Sequence, residues 1–450
     1  MAPPELSAGA LEAADKLPLV YRAMRWMVGN PYNKDTNPSG VINAGIAVNA
    51  TVHPLLLERL NSLGSEFVAC DLEYGIPYGS HELRAEIAHT TNRHFSPAEP
   101  VAPADIVVTN GCTAAIEMLA FAMCDPGDHV LIPAPCYLAL KSDMGMRAQA
   151  AVTAVPLPLE DAMDERQIPH FERALADIEA AGKRARMLFL MSPHSPLGTV
   201  YPRRVLQALL RFASSHGLYV AVDEIYALSE FGRPADDGDS DDAARFESVL
   251  SWPDLDSFID PASVVVLHGL SKDFGLNGLR VGWIMSPWNK DIVRVLHAYS
   301  PFGYRPAFTD RLATRLLADH EYIDTLLQIS QARLASNYAL ASRFLDEHAI
   351  RYIPCTAGHF VWLHLPLAAC TNALRALGRL APSAAGPTAW TEEGEVLVWE
   401  HMVKDVGIYM PPGQSFSSTE PGWFRFTFSI DAGELEVALG RLLRLCTPPE

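Results

Sequence analysis

The chain has 450 residues, 49% of them hydrophobic and 20% charged, with a formal net charge of −18 from 35 basic and 53 acidic side chains. That length builds more than one hydrophobic core, and the acidic balance excludes a nucleic-acid or anionic-membrane surface, because phosphate contacts need clustered Lys and Arg. The seven cysteines (Cys70, Cys112, Cys124, Cys136, Cys355, Cys370 and Cys446) are scattered and never spaced C-x-x-C, which excludes a disulfide framework or a zinc site. Met1-Ala2-Pro3-Pro4-Glu5 lacks the basic patch and apolar run of a signal peptide, and no apolar stretch approaches the ~20 residues that span a bilayer. A reduced, cytoplasmic enzyme is expected.

In chain order, Asp105–Thr109 predicts a buried strand that passes through Asn110-Gly111-Cys112-Thr113 into an amphipathic helix over Thr113–Met123. Backbone N–H groups at a helix start, joined by the Thr113 hydroxyl, make a seat for a phosphate. The strand His129–Ile132 runs into Pro133-Ala134-Pro135-Cys136-Tyr137, where the tyrosine either stacks on a flat ring or simply packs. Strands at Ala151–Val155 and Met187–Met191 follow, the second ending in the turn from Ser192 to Thr199, whose side chains can enter a cleft. A helix over Arg203–Ser215 then precedes the strand Tyr219–Val222.

That strand ends in Asp223, Glu224, Ile225 and Tyr226. A buried carboxylate is costly unless a cation meets it. A protonated pyridine nitrogen is such a cation, and Tyr226 would reach the ring's phenolic oxygen; the plainer reading of the motif is a helix cap. The last strand of this series, Val264–Leu267, leads to His268-Gly269-Leu270-Ser271-Lys272 and on through a glycine-rich run to Arg280 and Gly282. A lysine amine forms a Schiff base with an aldehyde cofactor, and a fixed arginine eight residues on can hold that cofactor's phosphate. A lone S-K-x-x-G would be a surface lysine before a turn; the other motifs, standing in order, displace that reading. Strand–helix alternation with continuously apolar strands predicts a mostly parallel sheet covered on both faces, with its chemistry at the carboxyl ends of the strands.

After Pro301 the pattern changes. Helices around Asp310–Asp319 and Glu321–Glu347, then strands at Phe360–Leu365 and Phe424–Phe428, predict a smaller α+β domain completed by the N-terminal arm. The expected division is a large domain over 50–304, with 1–49 and 305–450 forming the arm and the small domain. Arg425 lies inside an apolar aromatic strand, where either a substrate carboxylate or an internal Asp or Glu would pair it. The acidic loop Asp236–Asp242 and the stretch Ala381–Ala389 are expected to be solvated insertions. His194, His268 and His359 are expected to pack or sit in loops, not to transfer protons.

Together these residues resemble the fold-type-I, pyridoxal-phosphate-dependent aminotransferase class I/II superfamily, and within it the 1-aminocyclopropane-1-carboxylate synthase branch. The likeness runs from about Asn30 to Leu445. Its most branch-like segments are Asn30-Pro31-Tyr32, Asn37 to Ile42, Gly111 to Leu119, Asp125 to Asp128, Leu270 to Gly282, and Gly422-Trp423-Phe424-Arg425. The resemblance implies an α/β fold: a large domain with a mostly parallel mixed sheet between helices, plus a smaller α+β domain. It implies that Lys272 is the Schiff-base lysine and the general base at the substrate α-carbon. Asp223 would meet the pyridine nitrogen, Tyr226 the ring oxygen and the face of Tyr137 the ring. Arg280, Thr113 and Ser271 would serve the phosphate, with Gly111 and Cys112 in the same seat. Arg425 would clamp the α-carboxylate. Tyr74 would reach the cofactor phosphate of a neighbouring subunit, so a homodimer with shared sites is implied.

Three positions depart from the family pattern. Ser192 and Ser195 stand where the family has two asparagines, so a shorter hydroxyl would meet the ring oxygen and the substrate carboxylate. Gly269 stands where a phosphate-binding serine is common, which removes one hydroxyl contact. Val48 stands where the synthases carry a glutamate that helps select S-adenosylmethionine, and an apolar side chain there weakens recognition of a cationic substrate. Transamination, elimination or replacement, and ring closure all use the same lysine. The expected enzyme is therefore synthase-like, with a substrate that differs from that of the true synthases or is bound differently. Transamination of a hydrophobic or aromatic amino acid comes second and a carbon–sulfur lyase third. A cofactor-binding scaffold without activity is the reading from another class.

Overall fold

The structure is a computed structural model that describes residues 6–15, 19–64, 66–232, 245–381 and 384–447. Met1–Glu5, the acidic loop Asp236–Asp242 and two residues of the Ala381–Ala389 stretch lie outside the described residues. The strands in chain order are β1 (Ile42–Asn43), β2 (Ile106–Thr109), β3 (His129–Ala134), β4 (Ala151–Pro156), β5 (Ala185–Met191) and β6 (Tyr219–Asp223), then β7 (Val264–Gly269), β8 (Gly282–Met285), β9 (Arg351–Ile353), β10 (Phe360–His364), β11 (Ile408–Tyr409) and β12 (Trp423–Thr427).

Seven of them form one sheet in the order β2-β8-β7-β6-β5-β3-β4. Only β8 runs against its neighbours, β2 on one side and β7 on the other. Successive side chains point to opposite faces. Thus Val220, Val222, Val264 and Val266 enter one core with the helix Arg203–Ser215, while Ala221, Val265 and Leu267 enter another with the helix Cys112–Met123. Each large aliphatic side chain so buried contributes about 1.5–3 kcal/mol, which is why these strands read as unbroken apolar runs.

Strand β8 was not foreseen. It begins at Gly282, directly opposite Gly269 in the antiparallel register. A side chain on Gly282 would come within 2.6 Å of the Cys112 backbone nitrogen. The glycine pair thus lets the start of the helix Cys112–Met123 press against the sheet. The helices expected at Asp310–Asp319 and Glu321–Glu347 are Ala307–Leu317 and His320–Glu347.

A separate core gathers the antiparallel sheet β12-β10-β9, the helix Ala432–Cys446 and much of the helix His320–Glu347. The N-terminal segment joins this core through the parallel pair β1–β11. Buried Arg441 reinforces the junction by donating to the carbonyls of Gly40 at 2.6 Å and Pro38 at 2.7 Å. Further along, Thr427 N–H donates to Ala44, Ser429 Oγ to Val48 and Ala50 N–H to Ser429. Residues 44–50 are therefore held as a strap between the smaller core and the carboxyl ends of β5, β6 and β7. No described helix is long and apolar enough to cross a membrane.

Candidate active site

Parallel strands end on one edge of the sheet, and the polar residues singled out in the sequence follow those ends. At the far side, β2 gives way to Gly111, whose φ of +80° a glycine adopts without strain. A Cβ there would stand 2.4 Å from Arg280 Nη2, so the bare backbone is what lets the guanidinium approach the helix N-terminus. Arg280 itself has a φ of +55° and donates to the Asn277 carbonyl at 2.9 Å. Exposed N–H groups at the start of a 12-residue helix, beside a fixed cation, suit a phosphate. Thr113 is exposed at this end and Ser271 is buried beside Lys272.

Cys112 helps explain the glycine at 269. Its Sγ bonds the His268 carbonyl at 3.3 Å and lies 3.1 Å from where a Cβ on Gly269 would stand, while the Val281 carbonyl is 2.9 Å from that point. A serine there meets the backbone of Val281 and Gly282 as well as the thiol. The missing hydroxyl follows from packing.

Lys272 sits on the loop after β7. Its Nζ donates to the Ala47 carbonyl at 2.6 Å, and burial, followed by the charge of Arg425, lowers its proton affinity to about 7. A free amine at neutral pH is a nucleophile toward aldehydes. Asp223, at the end of β6, is 2% exposed and takes a hydrogen bond at 3.1 Å from Ile225 N–H; burial raises its pKa to about 7. A cation brought against it would restore the carboxylate. Tyr226 packs with Ala47, Met191, Ile225 and Phe360, and Tyr137 and Cys112 lie against that cluster. Burial pushes the phenols of both tyrosines up. An apolar slot with an amine, a carboxyl group and a cationic phosphate seat fits a phosphorylated pyridine aldehyde.

Arg425, on β12, enters the slot from the smaller core. It is 4% exposed and donates to the Gly45 carbonyl at 2.6 Å and to Ser195 Oγ at 3.2 Å. The rings of Phe360 and Phe416 lie 4.6 and 5.0 Å from its guanidinium carbon. Its Nε is buried without a partner, and no ion pair joins it to a carboxylate among the described residues. Of the two partners considered for this arginine, the internal Asp or Glu is absent among those residues. Ser195 thus meets the arginine directly.

A cavity of about 290 Å³ is bordered by Leu19, Val20, Leu138, Tyr409, Pro411, Gln414 and Ser415, none of them charged. Tyr409 and Pro411 link it to the clamp: the Tyr409 ring packs on Gly45, and the Pro411 carbonyl accepts the Arg425 backbone N–H at 3.2 Å. Val48 is half-buried on the strap beside Ala47.

The sequence-predicted residues therefore converge, with one exception. Tyr74 is 87% exposed and borders a cavity of about 420 Å³ with Tyr304, Arg305 and Pro306. This chain does not bring it to Lys272. Sequence reasoning missed the Ala47 and Gly45 carbonyls, which carry no side-chain signal, and it missed Tyr409, which reads as core.

The model of the aminotransferase class I and II family matches residues 71–442. The chain is 32% identical to the "Probable aminotransferase gliI" of Aspergillus fumigatus, over 89% of this chain and 88% of that one. It is 31% identical to the "Probable inactive 1-aminocyclopropane-1-carboxylate synthase-like protein 2" of Mus musculus, over 91% of this chain. The chain spans just under two thirds of the length of that relative (66%). Among solved structures, an aspartate aminotransferase double mutant from Thermus thermophilus superposes with a TM-score of 0.71 at 20% identity, covering 98% of this chain and all of that one. The fold is shared.

Proposed function

The chain belongs to the aminotransferase class I and II family, and from that premise we propose a reaction at the α-carbon of an amino acid with an uncharged side chain. It is a pyridoxal-phosphate-dependent enzyme of the fold-type-I class. The bound cofactor supplies an electron-withdrawing ring that weakens the bonds at that carbon. Lys272 would hold the cofactor aldehyde and serve as the base for the α-proton. Asp223 maintains the charge of the ring nitrogen, Tyr226 serves the ring oxygen and Tyr137 covers the ring face. Arg280, Ser271, Thr113 and the backbone at Gly111 and Cys112 hold the phosphate. Arg425, steadied by Ser195, takes the α-carboxylate in its planar fork.

Val48, half-buried on the strap beside Ala47, carries the substrate assignment, and an uncharged cavity bordered by Tyr409 and Pro411 is consistent with it. Val48 in place of a carboxylate on the strap removes the charge that would favour a sulfonium. The chemistry of first choice is synthase-like elimination or replacement on such a side chain. The name of the Aspergillus relative favours transamination as the second reading. A panel of amino acids, with 2-oxo acids and released fragments measured separately, decides between them. Efficient conversion of S-adenosylmethionine to the cyclopropane amino acid would sink the substrate assignment.

The mouse relative's name raises the silent scaffold. The buried set of Lys272, Asp223 and Arg425 speaks against it, and a protein that stays colourless with added cofactor would support it. We also propose the division into a large domain over 50–304 and a small domain from 1–49 and 305–450, in a cytoplasmic homodimer. Exposed Phe67, Leu72, Tyr74 and Phe302 support a second copy, which would bring its own Tyr74 to this phosphate seat.

A further inference from the structure

Four buried polar side chains beside the lysine loop have no part in the assignments above: Asp273, His268, Ser229 and His359. Asp273 directly follows Lys272. Its Oδ2 meets Leu228 N–H and His268 Nε2, both at 2.9 Å, and its Oδ1 accepts the Ser229 hydroxyl at 2.5 Å. Leu228 N–H and the Ser229 hydroxyl both donate to this side chain. Ser229 has one proton, and Asp273 takes it. The 3.1 Å contact between Ser229 Oγ and His359 Nε2 is therefore made by a proton on Nε2. His359 Nδ1 is left as a bare, buried acceptor.

The imidazole ring meets Tyr226 edge-on, with centroids 5.3 Å apart and planes at 84°. The titratable and charged groups around it are Tyr226, Lys272 and Arg425, and, through Ser229, Asp273 with His268. Burial and the two cations hold His359 neutral, far below the ordinary histidine range. A ring with one hydrogen bond to Ser229 has a fixed tilt, which a purely apolar neighbour would not give to Tyr226. Asp273 also ties the turn carrying Lys272 to the turn carrying Tyr226, because its bonds end on Leu228 and Ser229.

We propose that His359 is a positioning residue for Tyr226, held in one tautomer and one tilt by Asp273 acting through Ser229. The proposal rests on Tyr226 serving the oxygen of the cofactor ring. Its first test needs neither cofactor nor variant: nitrogen-15 histidine spectra of the cofactor-free protein should show His359 protonated on Nε2 and bare on Nδ1. The opposite tautomer overturns it. The second test is the pH midpoint of the visible absorption of the cofactor-loaded protein. Ser229→Ala and His359→Phe should each move that midpoint in the same direction by roughly half a unit to one unit. The double variant should move it no further than the larger single shift, and His359→Gln, which keeps a donor for Ser229, should restore part of it. Unchanged midpoints in folded single variants, or additive shifts, overturn the proposal. Tyr226→Phe separates the two levels. If it moves the midpoint and His359→Phe does not, only the positioning role fails; if Tyr226→Phe leaves the midpoint in place, the assignment of Tyr226 fails and the proposal falls with it.

Discussion

The wall of the site at the ends of β5, β6 and β7 and the wall facing it are built differently. On the sheet side, Asp223 is bonded by its own turn and Asp273 joins two loops, so the groups that would do chemistry are fixed within one rigid layer. The facing wall comes from residues 45–48, from 409–415 and from Arg425. There Arg425 is held by the Gly45 carbonyl and Ser195 and keeps a bare Nε, and an uncharged cavity adjoins Tyr409 and Pro411. Departures from the family pattern divide the same way. Gly269, on the sheet side, is imposed by close packing against Val281, Gly282 and Cys112, whereas Val48, on the facing side, changes the charge of the strap. A site can keep its chemistry in one wall and change its substrate in the other.

The strongest way to break that division is Lys272→Ala. It should abolish the visible absorption of the bound cofactor and lower turnover by on the order of 10³-fold or more, checked by spectrum and steady-state rate. Arg425→Ala should keep the absorption and raise KM about a hundredfold, since removing one partner of a buried charge pair costs about 2–5 kcal/mol. If the absorption is lost too, the walls are not separable.

Lys272 also gives a pH signature. Its amine is neutral above about pH 7, so cofactor capture by the cofactor-free protein should be flat above that point. Below it, capture should fall about tenfold per unit, as stopped-flow absorbance would show. Gly269→Ser should weaken cofactor binding about tenfold through overpacking against the Val281 carbonyl and the Cys112 thiol, and adding Cys112→Ala should recover only part of the loss in an equilibrium titration. The smallest effect belongs to Val48→Glu. It should improve the ratio of kcat/KM for a cationic over a neutral substrate about fivefold, while the absorption stays unchanged.

Much of the sheet wall was legible in the sequence because burial on both faces leaves unbroken apolar strands, and a polar residue such as Asp223 ending one of them stands out. Strand β8 was hidden because its glycine start reads as a turn; only the pairing of Gly282 with Gly269 reveals it. Strands β1, β9 and β11 have only two or three residues, too short for any periodicity. At the site, Arg425 was visible because a guanidinium is out of place in an aromatic strand. The reason for Gly269 was not, because it depends on how closely the backbone of Val281 and Gly282 and the sulfur of Cys112 come to rest against it. His359 looked like packing and does pack; its tautomer follows only from counting the protons that reach Asp273.

The strap over residues 44–50 bears on what binding can gain. The carbonyls of Gly45 and Ala47 already occupy donors of Arg425 and Lys272, at 2.6 Å each. They act as placeholders that keep the guanidinium and the amine aimed into the slot. An arriving ligand exchanges one acceptor for another, so hydrogen-bond number changes little and the gain comes from negative charge meeting a guanidinium. A substrate analogue with an amide in place of its α-carboxylate should therefore compete no better than the protein's own backbone.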